Sequence, residues 1–91
     1  MARFITYHDA EGVSLDTLEE YRQRVNELAK AKPEVIYYRS WINISEGKIM
    51  SECDAPDAES LKRWFNDLEL PATDYMEADL IGQAGMATLA P

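Results

Sequence analysis

The stretch Val35-Ile36-Tyr37-Tyr38-Arg39-Ser40-Trp41-Ile42-Asn43-Ile44 decides the fold of this chain. It is dense in β-branched and aromatic residues and shows no helical period, so it reads as a strand. One alternating set is Val35, Tyr37, Arg39, Trp41 and Asn43; the other is Ile36, Tyr38, Ser40, Ile42 and Ile44. Both sets carry large apolar side chains, so whichever faces the core, the other exposes several hundred Å² of apolar surface by order of magnitude, more than a monomer tolerates. Arg39 and Asn43 would be costly under a helix, which favours Ile36, Ile42 and Ile44 on the inner side.

Ser45-Glu46-Gly47-Lys48 supplies a turn, and Ile49 to Asp54 returns as the second arm of an antiparallel hairpin. Upstream, Leu15, Leu18, Tyr21, Val25, Leu28 and Ala29 recur at spacings of three and four, predicting a helix capped by Ser14 and stopped by Pro33. Arg3 to Tyr7 is a short first strand. Downstream, Pro56, Asp57 and Glu59 open a second helix whose buried stripe is Leu61, Trp64, Phe65 and Leu68, ended by Pro71. Asp74 to Ile81 alternates as a last strand. The order βαββαβ, with each helix apolar on one stripe only, predicts an α+β ferredoxin-like two-layer sandwich: a four-stranded antiparallel sheet with two helices on one face. The domain is expected over residues 1–82, with residues 83–91 as a flexible tail.

A chain of 91 residues builds one domain with a thin core, which favours oligomerisation. The two-sided strand gives that tendency a place, so a homodimer with sheets stacked face to face is expected. Seventeen acidic against nine basic residues give a net charge of −8, and the cations occur singly or in close pairs. No nucleic acid partner is expected, because binding one needs a basic stripe, and anionic membranes are excluded on the same ground. The amino end carries no signal peptide pattern, no apolar run reaches the roughly 20 residues that span a bilayer, and the single Cys53 fits a reducing compartment. A soluble, cytoplasmic protein is the expectation.

No motif names a reaction. His8, the one histidine, reads first as a strand-end residue and only second as a base; with Asp9 and Glu11 it lacks the spacing of a defined metal site. Cys53 reads as a small buried hydrophobe without a histidine partner. Glu52 and Asp54 share a strand face with no tuned environment for acid–base work. Arg39 beside Tyr37 and Trp41 is more pointed, since a guanidinium among aromatic rings binds an acidic or aromatic ligand by a fork-like contact and stacking. Its competing role is an ion pair with Glu77 or Asp79 buried at a dimer seam.

The segments Tyr37-Tyr38-Arg39-Ser40-Trp41-Ile42, Lys48-Ile49, Ala55-Pro56-Asp57-Ala58-Glu59, Leu70-Pro71 and Glu77, with Arg3-Phe4 and Asp9, resemble a family of small bacterial ferredoxin-like proteins of the dimeric α/β-barrel superfamily. Its members are described as nickel-binding or have no assigned function. The resemblance implies the fold and the face-to-face dimer. It also implies a metal site built on a histidine in strand two, a cysteine in strand three and a histidine in helix two. Those positions hold Arg39, Ser51 and Trp64 here. Arginine does not ligate a cation and tryptophan offers no lone pair, so no metal and no other cofactor is expected.

The sequence therefore supports a dimeric binding or accessory protein whose inter-sheet pocket, lined by Tyr7, His8, Tyr37, Arg39, Trp41 and Glu77, takes a small acidic or aromatic molecule. A cofactor-free enzyme of the dimeric α/β-barrel type, monooxygenase or isomerase-like, is the alternative, with His8 or Glu77 as its only candidate bases. Weak nickel binding is the third reading.

Overall fold

The computed structural model describes residues 1–80. The elements run β1 (Ala2–Asp9), α1 (Leu15–Ala31), β2 (Ile36–Asn43), β3 (Lys48–Ala55), α2 (Ala58–Asp67) and β4 (Asp74–Glu77). The strands form one antiparallel sheet in the order β2-β3-β1-β4. This is the α+β ferredoxin-like arrangement anticipated from the hairpin and the two amphipathic stretches. β4 stops four residues short of the expected Ile81, and the expected tail over residues 83–91 lies outside the described residues. No helix among the described residues is long and apolar enough to cross a membrane.

Each helix starts where its cap residue dictates. The Ser14 side chain accepts from the Thr17 amide and that of Asp57 from the Ser60 amide, each satisfying a donor that the first turn leaves open. Both helices cover one sheet face. Phe4 of β1, Cys53 and Ala55 of β3, Val25 of α1, and Leu61, Trp64, Phe65 and Leu68 around α2 make one buried cluster. Trp64 stacks on Tyr37 at 5.9 Å between ring centres and meets Phe65 edge-on at 5.2 Å. Burying each ring contributes about 2–3 kcal/mol before entropy is counted. α1 is held more lightly than its periodicity suggests, with Val25 its one fully buried side chain.

The register of β2 corrects the expected choice of inner face. Tyr37 pairs with Cys53 and Arg39 with Glu52, so Tyr38 is an extra residue in a β-bulge. The alternation therefore shifts by one within the strand. Tyr37, Ser40 and Ile42 turn toward the helices, opposite Cys53, Ser51 and Ile49; Ile36, Tyr38, Arg39, Trp41 and Asn43 turn away, opposite Asp54, Glu52, Met50 and Lys48. Ile42 is inside as anticipated and Ile36 is outside, while Ile44 lies in the turn and is exposed. The bulge satisfies both constraints at once: Arg39 and Asn43 stay in water while Tyr37 reaches Trp64.

His8 sits at the end of β1 under α2, 1% exposed. Its Nδ1 faces the carbonyl oxygens of Leu70 at 3.0 Å and Pro71 at 3.3 Å, and its Nε2 lies 2.7 Å from Thr6 Oγ1. Carbonyls only accept, so Nδ1 carries the proton and Nε2 accepts from the Thr6 hydroxyl. The neutral ring rests on Phe65 at 4.5 Å and ties the segment after α2 to the sheet. Burial lowers its pKa from the ordinary 6.5, against a smaller opposing pull from the two carbonyls.

Two tests follow from this packing. At Gly47 the backbone has φ +65° and an added Cβ would meet Glu11 Cα at 2.9 Å, where the Ala10 amide donates to the Gly47 carbonyl. Gly47→Ala is expected to cost about 1–3 kcal/mol in urea unfolding. Gly12→Ala, at φ +72° with open space around it, should cost only about 1 kcal/mol, the left-handed penalty alone. For His8 the folded state disfavours the charged ring, so its contribution is complete above pH 6.5 and fades as the pH falls below it. The urea midpoint should drop between about pH 7 and pH 5, and this slope should be absent in His8→Asn; equal slopes in both proteins would refute the assignment.

Candidate functional site

Strand alternation divides the six residues singled out in the sequence between the two sheet faces. Tyr7, Arg39 and Trp41 project from the face away from the helices, since their strand partners Met50 and Glu52 do. His8 and Tyr37 project toward the helices. Glu77 pairs with Phe4, so it shares the helix side of the sheet, exposed on the edge strand. Consecutive residues on a strand point opposite ways, so Tyr7 and His8 do not line one surface. Both ring nitrogens of His8 are engaged and the ring is sealed, which leaves it no atom to offer a bound molecule. The two candidate bases are also separated by four positions along β1.

The open face, by contrast, gathers chemistry. Its apolar members are Ile5, Tyr7, Ile36, Tyr38, Trp41, Met50 and Met76, of which Trp41 is half exposed. Between them runs a charge ladder. Arg3 bonds Asp54 through Nε at 2.6 Å and Glu52 through Nη1, and its guanidinium lies 4.4 Å above the Tyr38 ring. Tyr38 donates to Asp54, and Arg39 Nε approaches Glu52 at 3.3 Å. The hydrogen bond from Arg3, before all else, holds the Asp54 carboxyl below its usual range. Glu52 and Asp54 are thus committed to cations and do not form a free acid–base pair. Within one chain Arg39 is paired with Glu52 and not with Glu77, because β2 and β4 are opposite edges of the sheet.

At one end of this face, Tyr7, Trp41, Asn43 and Met50 surround a shallow depression of about 240 Å³ with Lys48 at its rim. The Lys48 ammonium is 2.6 Å from Asp9. Its aromatic walls offer stacking to a small flat molecule, and the cation at its rim is already paired with Asp9. The sequence reading missed Arg3, Lys48 and Met50 here. Cross-strand pairing brings them in, and period alone does not reveal which strands are neighbours. On the other face Cys53 is fully buried, and burial pushes its thiol up to about 12, so it is no nucleophile.

Comparison with known proteins places this geometry. The crystal structure of SCO4226 from Streptomyces coelicolor A3(2) superposes with a TM-score of 0.75 at 24% identity, covering 87% of this chain and 98% of that one. At that identity the likeness speaks for the fold. No curated protein matches the chain. The sequence profile of the family described as nickel responsive protein SCO4226-like matches residues 4–77, which takes in both helices, three strands and all but the first two residues of β1. On the strength of that match, the chain belongs to the SCO4226-like family.

Proposed function

We propose that this chain is a non-catalytic binding protein that pairs with a second copy through the open sheet face and takes a small acidic aromatic molecule against Tyr7, Arg39 and Trp41. The observation that carries the reading is the charge of that face. Arg3, Arg39 and Lys48 stand against Asp9, Glu52, Asp54 and Asp74, one net negative charge among the eight of the whole chain. The acidic excess lies on the helices and loops, so two copies approach with least repulsion through this surface. The same surface holds the half-exposed Trp41, Ile36 and Met76, apolar area that a second copy would remove from water.

A family described as nickel responsive raises the question of a metal. The residues at the three positions that the resemblance assigns to ligands do not fit nickel. Arg39 presents a guanidinium. Trp64 is buried with its Nε1–H donating to the Lys32 carbonyl at 3.3 Å, and Ser51 is buried with its hydroxyl 2.6 Å from that of Ser40. Nickel binds through nitrogen or soft donors gathered in one place, and no group of three His, Cys, Asp or Glu side chains that could hold a metal occurs among the described residues.

Sedimentation at low micromolar concentration should give twice the chain mass of 10.4 kDa. Trp41→Glu should yield monomer, whereas a parent protein that sediments as monomer refutes the pairing. In a thermal-shift screen, acidic aromatic compounds should raise the melting temperature of the parent and fail to raise that of Arg39→Ala. Calorimetric titration with Ni²⁺ should find no affinity tighter than about 1 mM; micromolar binding would overturn the donor argument.

A further inference from the structure

α1 is one helix by its hydrogen bonds and two pieces by its packing. Its carboxyl half is tied down: Val25 is buried, and Leu28 and Ala29 pack against the core. The Trp64 Nε1–H donates to the Lys32 carbonyl at 3.3 Å, and the Lys32 ammonium pairs with Asp67. The amino half stands over space. Clefts of about 240 and 360 Å³ lie beneath it and share Leu18, Tyr21 and Ile49 in their walls. Leu15, in the first turn, is 74% exposed. A helical segment this short is marginal in water unless its apolar face packs on something, and side chains that border a void forfeit contact on that side.

Two contacts hold the amino half down. One is Tyr21, whose ring reaches the core and whose hydroxyl is buried near those of Tyr37, Ser40 and Ser51. Water takes the place of such neighbours when the hydroxyl leaves, so it holds the helix weakly. The other is Arg24, whose Nη1 lies 3.3 Å from a carboxylate oxygen of Glu69 at the edge of the smaller cleft. Glu69 follows α2 with φ +61°, the one residue other than glycine with positive φ among the described residues. There the Leu70 amide donates to the Phe65 carbonyl at 3.1 Å and the Glu69 amide to that of Asn66 at 3.0 Å, a helix ending that glycine fits without strain. The glutamate strains that ending and gives α1 a partner across the cleft. Both side chains of the pair are exposed, so it is weak and sensitive to salt. At the far end of the segment, Gly12 has φ +72° and open space around it, which sets no steric limit on the loop before Ser14.

We propose that residues 15–24 form a lid that unwinds and opens as a unit while residues 25–31 stay on the core, with the Arg24–Glu69 ion pair as its latch. Opening uncovers Ile49 and Leu70, which line the smaller cleft, and joins both clefts to solvent. The motion lies on the helix side of the sheet. It is therefore independent of pairing through the open face and of the depression at Tyr7 and Trp41, and each is testable without the other.

Native-state hydrogen exchange of the ¹⁵N-labelled full-length protein reads the lid directly. The amides of residues 18–27 have their acceptors four residues back, so unwinding of the lid releases them together. At low salt they should share one opening equilibrium, at least about tenfold larger than that of residues 29–32 and of the β1–β3 ladder. Arg24→Gln should raise exchange across residues 18–27 by about two- to fivefold and leave the β1–β3 amides within about twofold. Sodium chloride at about 0.5 M should do the same to the parent and nothing to Arg24→Gln. Glu69→Gly should raise exchange of the same amides while the urea midpoint holds or rises, because the strained helix ending is relieved. A lower midpoint in that variant would overturn the latch. Protection that climbs residue by residue from Leu18 is ordinary end fraying and would overturn the lid. So would equal protection of residues 18–27 and 29–32, or indifference to both substitutions.

Discussion

One extra residue in the outer strand governs how this molecule presents itself. At the bulge, Tyr38 is skipped in the pairing of β2 with β3, and the side chains after it change faces relative to those before it. Tyr37 turns inward and stacks on Trp64, which joins β2 to α2. Arg39, one pairing step later, turns outward to Glu52 and joins the charge ladder. An unbulged strand would face a choice between burying an arginine and losing the aromatic stack. Burying a cation without a buried partner costs several kcal/mol, more than a stacked pair contributes. The strand breaks its own period and avoids both losses.

The two faces that result differ in kind. The helix side is closed by aromatic packing and by His8, whose neutral ring links β1 to the Leu70–Pro71 segment. The open side is half greasy and half charged, and its charges are internally matched through Arg3, Glu52, Asp54 and Arg39. Matching within the surface matters more than the strength of any one pair, because partly exposed ion pairs stabilise little. It leaves a nearly neutral area on an acidic chain.

The family bond and the site chemistry also pull apart. The frame is that of the SCO4226-like proteins from residue 4 to residue 77. At the positions where the resemblance implies metal donors stand a guanidinium, an indole and a hydroxyl, and each has taken a structural part. Arg39 completes a charge ladder, Trp64 is the centre of the core, and Ser51 anchors a hydroxyl chain. A fold of this kind tolerates such exchange because the frame does not depend on metal donors: Phe4, Leu61, Phe65 and Leu68 pack it together with Trp64 itself.

What the chain encodes locally was legible without coordinates. Element order, the first helix start at Ser14, the hairpin and the buried stripe of Leu61, Trp64, Phe65 and Leu68 follow from period and capping, which act within a few residues, whereas Asp57, expected inside the first turn of the second helix, is its cap. The two-sidedness of residues 35–44 was legible for the same reason, and so were the resemblance and its missing donors. Which side chains share a surface was not. A bulge is fixed by the partner strand, so Ile36 outside and Tyr37 inside emerge only when β3 and α2 are in place. Likewise Tyr7 and His8, adjacent in the chain, belong to different faces. Arg3 and Arg39, 36 positions apart in sequence, converge on one carboxylate because β3 lies between their strands. Neighbourhood across a sheet is a property of pairing, and pairing is decided by the whole core at once.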